Sequence, residues 1–162
     1  MDAQGTLAIA AEVGIGLAGF SAVAVAIAAS RTADDRRAEW VHLRSLLQSS
    51  FAVVLLAYLP MVLSAADVET TTLWRIASGV YLAYLGVTSI VVVRSGDRTA
   101  IGTTPWVVVV SLVGVSTGFN LYNLVAAHGA WPYLAALASG LSIAFSQFAF
   151  VIRRLFFSSA TV

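Results

Sequence analysis

Residues 6–30 read TLAIAAEVGIGLAGFSAVAVAIAAS, an apolar run with one formally charged side chain, Glu12. A helix that crosses the hydrocarbon core of a bilayer needs about 20 predominantly apolar residues, and this run is long enough. Four more segments qualify further along the chain, at 46–66, 73–93, 105–127 and 131–152. The connections between them are short and hold nearly all the charge. Composition agrees: 59% of the residues are hydrophobic and 10% charged, where a soluble domain carries about 25% charged residues. A chain of 162 residues cannot hide that much apolar surface in its own core. Lipid is therefore the solvent, and the sequence predicts an all-α bundle of five transmembrane helices forming a single transmembrane domain over residues 1–162.

Charge sets the expected orientation. Arg31, Arg36, Arg37 and Arg44 lie around the first connection, Arg94 and Arg98 in the third, and Arg153 and Arg154 at the C-terminus. The second connection holds Asp67 and Glu69 with only Arg75, and the fourth is the uncharged turn near His128. The positive-inside bias then predicts the N-terminus outside and the C-terminus in the cytoplasm. Trp40, Trp74, Trp106 and Trp131 all fall at span ends, where an indole suits headgroup depth. Pro105 stands at a helix start, where its missing N–H costs nothing. Pro60 lies inside the second span, where a kink is expected and the carbonyl it frees must find a donor on a neighbour. The first span is read as a retained helix and not a signal peptide, since it has no basic n-region and its apolar stretch is too long.

Glu12 is the one charged residue well inside a span. Such residues usually face a bundle interior or a watery cavity. Gly5, Ala8, Glu12, Gly16, Gly19, Val23, Ala26 and Ser30 fall within about 40° of one line on the first helix. Ile9, Val13, Leu17, Phe20 and Ile27 form a bulkier flank suited to lipid. The narrow stripe has two readings: a packing seam between helices, or the lining of a pore in which a ring of Glu12 concentrates cations. On the fourth span Ser116, Asn120, Asn123 and Ala127 share a face, with Tyr122 and His128 nearby. Glu12, Tyr58, Tyr81 and Asn120 all lie roughly 9–11 Å below the outer boundary at 1.5 Å per residue, with Asn123 slightly above. A polar layer of Glu12, Tyr58, Tyr81, Asn120 and Asn123 inside one bundle is therefore expected. Milder stripes run through Ser78, Tyr81, Tyr84 and Thr88 on the third span, and through Ser139, Ser142, Ser146 and Arg153 on the fifth.

Other chemistry is excluded. The chain has no Cys and no Lys, which removes disulfides, thiolate catalysis, Cys-type metal sites and Schiff-base cofactors. His42 and His128 sit at opposite membrane faces and cannot hold one haem between them. Residues 14–19, GIGLAG, match G-x-G-x-x-G, but the dinucleotide fingerprint needs a preceding strand and a βαβ unit. No nucleophile–base pair stands out, so the chain is expected to be no enzyme and to carry no cofactor. The Arg-rich connections suit anionic headgroups; nucleic acid is not an expected partner.

Residues 12–20, EVGIGLAGF, resemble the first span of small multi-pass inner-membrane proteins of bacteria to which no activity is assigned. Arg44-Ser45-Leu46-Leu47 leading into Ala57-Tyr58-Leu59-Pro60, the Leu73-Trp74-Arg75 start of the third span, and Pro132-Tyr133-Leu134 opening the fifth are similar too. That resemblance implies a bacterial inner-membrane address and transfers no functional residue. The expected function is a small homo-oligomeric channel or pore for cations, with Glu12, Gly16 and Gly19 lining an axis shared between copies. The alternatives are a non-transporting structural or regulatory membrane subunit, and a proton- or sodium-coupled small carrier. Expected partners are the lipid bilayer, further copies of the chain and cations.

Overall fold

The computed structural model describes residues 2–28, 33–95 and 103–157. Five long helices fill them: α1 (Ala3–Ala28), α2 (Ala33–Ala65), α3 (Thr70–Ser95), α4 (Thr103–Tyr122, continued by a π-helical turn Asn123–Ala127) and α5 (Ala130–Phe157). No strand occurs among the described residues. Each helix contains an apolar stretch of between 22 and 25 residues, long enough to cross a membrane, so the chain is a multi-pass membrane protein. The five expected spans are all present, several extended at their ends. The largest extension is in α2, which begins at Ala33, so much of the expected first connection is helical. Ser30, Arg31 and Arg98 lie outside the described residues, as do the side chains of Ile27, Arg36, Arg37, Trp40, His42, Pro105 and Arg154.

α2 and α5 form the central pair. α1 lies against both on one side, while α3 and α4 close the other, α3 touching α2 and α4 resting on α5. The polarity is that of a protein dissolved in lipid. Ser21, Ser50, Ser78, Ser116, Asn120, Asn123 and Gln147 are buried, whereas Ile9, Leu55, Val87 and Val125 are 63–76% exposed. Hydroxyls that face neither water nor a neighbour bond their own helix: Ser21 Oγ donates to the Leu17 carbonyl at 2.9 Å, Ser50 Oγ to Leu46 at 2.7 Å and Ser142 Oγ to Ala138 at 2.9 Å. Of the fifth-span stripe, Ser139 is buried but Ser142 is exposed. Back-bonding to the previous turn makes an outward hydroxyl tolerable there.

Local sequence accounts for the helix ends at one end of the bundle. Asp2 caps α1, its Oδ1 accepting from the Gly5 amide at 3.1 Å while its carbonyl accepts from Thr6 Oγ1 at 2.9 Å. α2 closes with Asp67 in the left-handed region at φ 55°. The Val68 amide reaches the Leu63 carbonyl at 3.1 Å and the Asp67 amide reaches Ser64 at 3.1 Å, the bond pair of a Schellman ending. Leu63 and Val68 both pack on the main core, supplying its apolar contact.

Pro60 sits inside α2, in its last two turns, without breaking it. Its ring nitrogen has no hydrogen, so the carbonyl four residues back, Leu56, loses its intrahelical donor. The donor comes from α5: Tyr133 Oη gives a hydrogen bond to the Leu56 carbonyl at 2.6 Å. Tyr133 is fully buried, with the rings of Trp74 and Tyr81 packed on it at centroid distances of 5.6 and 5.9 Å. Trp74 is thus a core residue, 7% exposed, and not the headgroup anchor its place at a span end suggested. Trp131, 54% exposed, keeps that outward position beside Phe119 and Tyr122.

Tyr133→Phe keeps the ring and deletes the donor, leaving a buried carbonyl unpaired. It is expected to lower stability in mild detergent by about 1–3 kcal/mol. Pro60→Ala returns an N–H to the Leu56 carbonyl, so in that background the same substitution should cost much less. Thermal unfolding of the four proteins in a double-mutant cycle measures the coupling; equal losses in both backgrounds would contradict this role for Tyr133.

Candidate functional site

The face of α4 that carries Ser116, Asn120 and Asn123 turns inward, and all three are fully buried. Ser116 Oγ donates to the Ala136 carbonyl of α5 at 3.2 Å, and Tyr81 Oη from α3 donates to the same oxygen at 3.0 Å. Gly140, one turn further along α5, makes room for that approach, because a Cβ there would stand 2.6 Å from Tyr81 Oη. Asn123 binds in two directions. Its Nδ2 donates to Ser78 Oγ at 2.9 Å, and its Oδ1 accepts from the Gly129 amide at 2.8 Å. One amide side chain thereby ties α3, α4 and the turn into α5 together. Asn120 differs: its Nδ2 returns to the Ser116 carbonyl of its own helix at 2.9 Å. Asn120 Oδ1 is the one buried side-chain polar atom without a partner among the described residues.

Beyond Asn123 the helix widens into its π turn, a device frequent at functional sites. His128 ends that turn in the left-handed region at φ 47°, its amide donating to the Asn123 carbonyl at 3.1 Å. Its ring lies against the same carbonyl and against the Arg75 guanidinium, 2.9 Å from Nη2. The sequence placed His128 near the polar face of α4 without linking it to Arg75. The available signal was compositional: Arg75 is the single basic residue, and His128 the single imidazole, among the connections at this end.

The structure divides the expected polar layer. Tyr81, Asn120 and Asn123 lie in the seam between α3, α4 and α5, while Glu12 and Tyr58 are exposed on the outside of the bundle. Glu12 makes no hydrogen bond to any of the four others among the described residues. The reason is helical phase. α1 packs through Leu7, Ala10, Ala11, Gly14, Leu17, Ser21 and Ala24, and Glu12, two positions from Gly14, points about 200° away. Equal depth brought the residues to one level but not to one side.

Phase also separates the glycines. A Cβ on Gly14 would meet Val54 Cγ2 at 2.8 Å and the Ser50 carbonyl at 3.1 Å, so Gly14 is where α1 and α2 approach closely. A Cβ on Gly16 or Gly19 would meet nothing within 4 Å. The small-residue stripe is therefore not a packing seam within the chain. Nor is the bulky flank a lipid face throughout: Ile9 is exposed, but Leu17 is buried and Val13 and Phe20 pack on the core. Phe20 meets Phe148 of α5 edge-on at 4.5 Å.

Two contrasts test these assignments by thermal unfolding in mild detergent. Asn123→Leu should cost about 1–3 kcal/mol because it strands Ser78 and the Gly129 amide, while Asn120→Leu should be close to neutral because it removes an unpaired acceptor. Similar losses at both positions would refute the distinction. Gly14→Ala should destabilise by about 1–3 kcal/mol through overpacking, while Gly16→Ala leaves monomer stability unchanged or slightly raised.

Comparison with protein-family models, with curated proteins and with solved structures finds no match for this chain, which leaves its own residues to carry the functional reading.

Proposed function

We propose that the protein is a small homo-oligomeric channel of a bacterial inner membrane, N-terminus out and C-terminus in, conducting cations past Glu12 at an axis shared between copies. The observation that carries this reading is the position of Glu12. It lies about 14 Å along α1 from Ala3, near the middle of the 22-residue span Ala3–Ala24, and it is exposed on the side away from the bundle. A charged side chain at bilayer depth costs about 2.5–3.5 kcal/mol on insertion scales. Since the interior of the chain is on the other face, apposed copies of α1 supply the polar surroundings that one copy lacks. Gly16 and Gly19 keep the face narrow, which lets helices converge while leaving space for water.

The buried seam supports a path between copies and not through one. Its side chains are engaged with neighbours and backbone carbonyls, apart from Asn120 Oδ1. Arg44, Arg94 and Arg153 are exposed at the end of the bundle remote from Asp67 and His128, and the positive-inside bias supports placing that end in the cytoplasm. The bacterial address rests on the resemblance of residues 12–20 and the other quoted segments.

The test is flux through liposomes holding the purified protein, with its oligomeric mass measured in mild detergent. Glu12→Gln keeps size and hydrogen bonding but removes the charge. The oligomer should persist while cation-over-anion selectivity falls by about tenfold or more. Unchanged selectivity would remove Glu12 from the pathway. A native oligomer that conducts nothing across varied pH, voltage and tension would make the protein a non-transporting membrane subunit.

A further inference from the structure

The turn between α4 and α5 is closed by one imidazole whose protonation state follows from its neighbours. Nδ1 of His128 lies 2.9 Å from the Asn123 carbonyl oxygen. A carbonyl only accepts, so Nδ1 carries the proton and donates it there. In the neutral ring the lone pair is then on Nε2, which faces Arg75 Nη2 at 2.9 Å. A guanidinium has no acceptor and does not deprotonate in proteins, so Arg75 donates and Nε2 accepts. The Arg75 Nε, 3.3 Å from Nδ1, is by this assignment a close approach of two N–H groups, held by the shorter bonds on either side.

Among the described residues no carboxylate stands in contact with either group: none lies within 4.0 Å of Arg75 or His128. The α2–α3 turn brings Asp67 and Glu69 to this end, and Glu69 Oε2 accepts from Thr72 Oγ1 at 3.5 Å. α3 brings Arg75 itself. α4 brings Tyr122, packed on Trp131, and α5 brings Tyr133, whose hydroxyl is engaged by the Leu56 carbonyl. Asp2, at the same end, caps α1 through Gly5.

We propose that His128 is a proton-operated latch between α3 and the α4–α5 turn. Uptake of one proton from water at Nε2 converts the acceptor facing Arg75 into a donor on a cationic ring. The bond becomes a contact between two cations, Arg75 swings away, and α3 loses its hold on the turn. The loosening passes to Asn123, whose carbonyl is bonded by His128 and whose side chain joins Ser78 to the Gly129 amide. The latch needs only that one protonation of the ring. It stands independently of the pore reading, since it uses neither Glu12 nor an oligomer.

The experiment is hydrogen exchange of the full chain in mild detergent, with rates corrected for the chemical exchange rate at each pH, followed in peptides covering residues 120–132. Going from about pH 8 to about pH 5, protection of the His128 and Gly129 amides should fall about tenfold in the native protein. In His128→Gln, whose side chain accepts from Arg75 without taking up a proton, protection should be flat over the range. Arg75→Gln removes the opposing cation, so protection starts lower and is also flat; it decides alone if His128→Gln does not fold. Flat protection in the native protein overturns the latch. So does an equal acid-induced loss in either variant, which would place the sensor elsewhere.

Discussion

The hydrogen bond from Tyr133 to the Leu56 carbonyl is the contact on which the bundle is built. In water a carbonyl freed by a mid-helix proline is solvated; in hydrocarbon it needs a donor from protein. Pro60 thus obliges α5 to present a hydroxyl at one height and from one direction, and the 2.6 Å bond shows how closely the two helices meet there. The consequences spread outward. Trp74 and Tyr81 pack on the Tyr133 ring and bring α3 with them. Tyr81 then shares the Ala136 carbonyl with Ser116, which holds α4. α1 lies across the other side of the pair, seated where Gly14 lets it touch the backbone of α2.

Lipid tails are as apolar as leucine, so burial of hydrocarbon does not drive helices together within a bilayer, and the cohesion comes from close packing and interhelical hydrogen bonds. The distribution of residues reflects this. Gly14 and Gly140 are notches, one admitting a neighbouring backbone and the other a tyrosine hydroxyl. Individual interhelical bonds in membranes average about 0.6 kcal/mol, which is why the structure uses several, linked through shared carbonyls, to join α3, α4 and α5. The outward valines and isoleucines need only be apolar, and α4 is the least enclosed of the five spans.

The five spans were legible because length and hydropathy are summed over whole segments and survive errors at single positions. So was the inward face of α4, where three polar residues at helical spacing leave little choice of direction. Glu12 and Tyr58 were misplaced because depth along a helix is readable from residue counting, while the direction a helix turns to its neighbours is set by contacts distant in sequence. Gly14 and Gly16 look alike in the string GIG; only the approach of Val54 and Ser50 distinguishes them. That Pro60 would need a donor was also readable, though not that Tyr133 supplies it. Trp74 looked like a membrane anchor because it ends a span, yet a neighbouring tyrosine ring gave it a partner inside.

The π turn at Asn123–Ala127 adds a constraint of length instead of composition. A π turn holds one residue more than the α turn it replaces, so the extra residue is taken up as width and α4 keeps nearly the phase of the helix below. Removing any one residue from this segment would restore regular winding and keep the apolar character of Leu124, Val125 and Ala126. It would also draw the turn in to α width, closing the wider ring that the His128 amide and the Asn123 carbonyl now span. The stretch therefore tolerates exchange of one apolar residue for another, while a change in its length redraws the bond between His128 and Asn123.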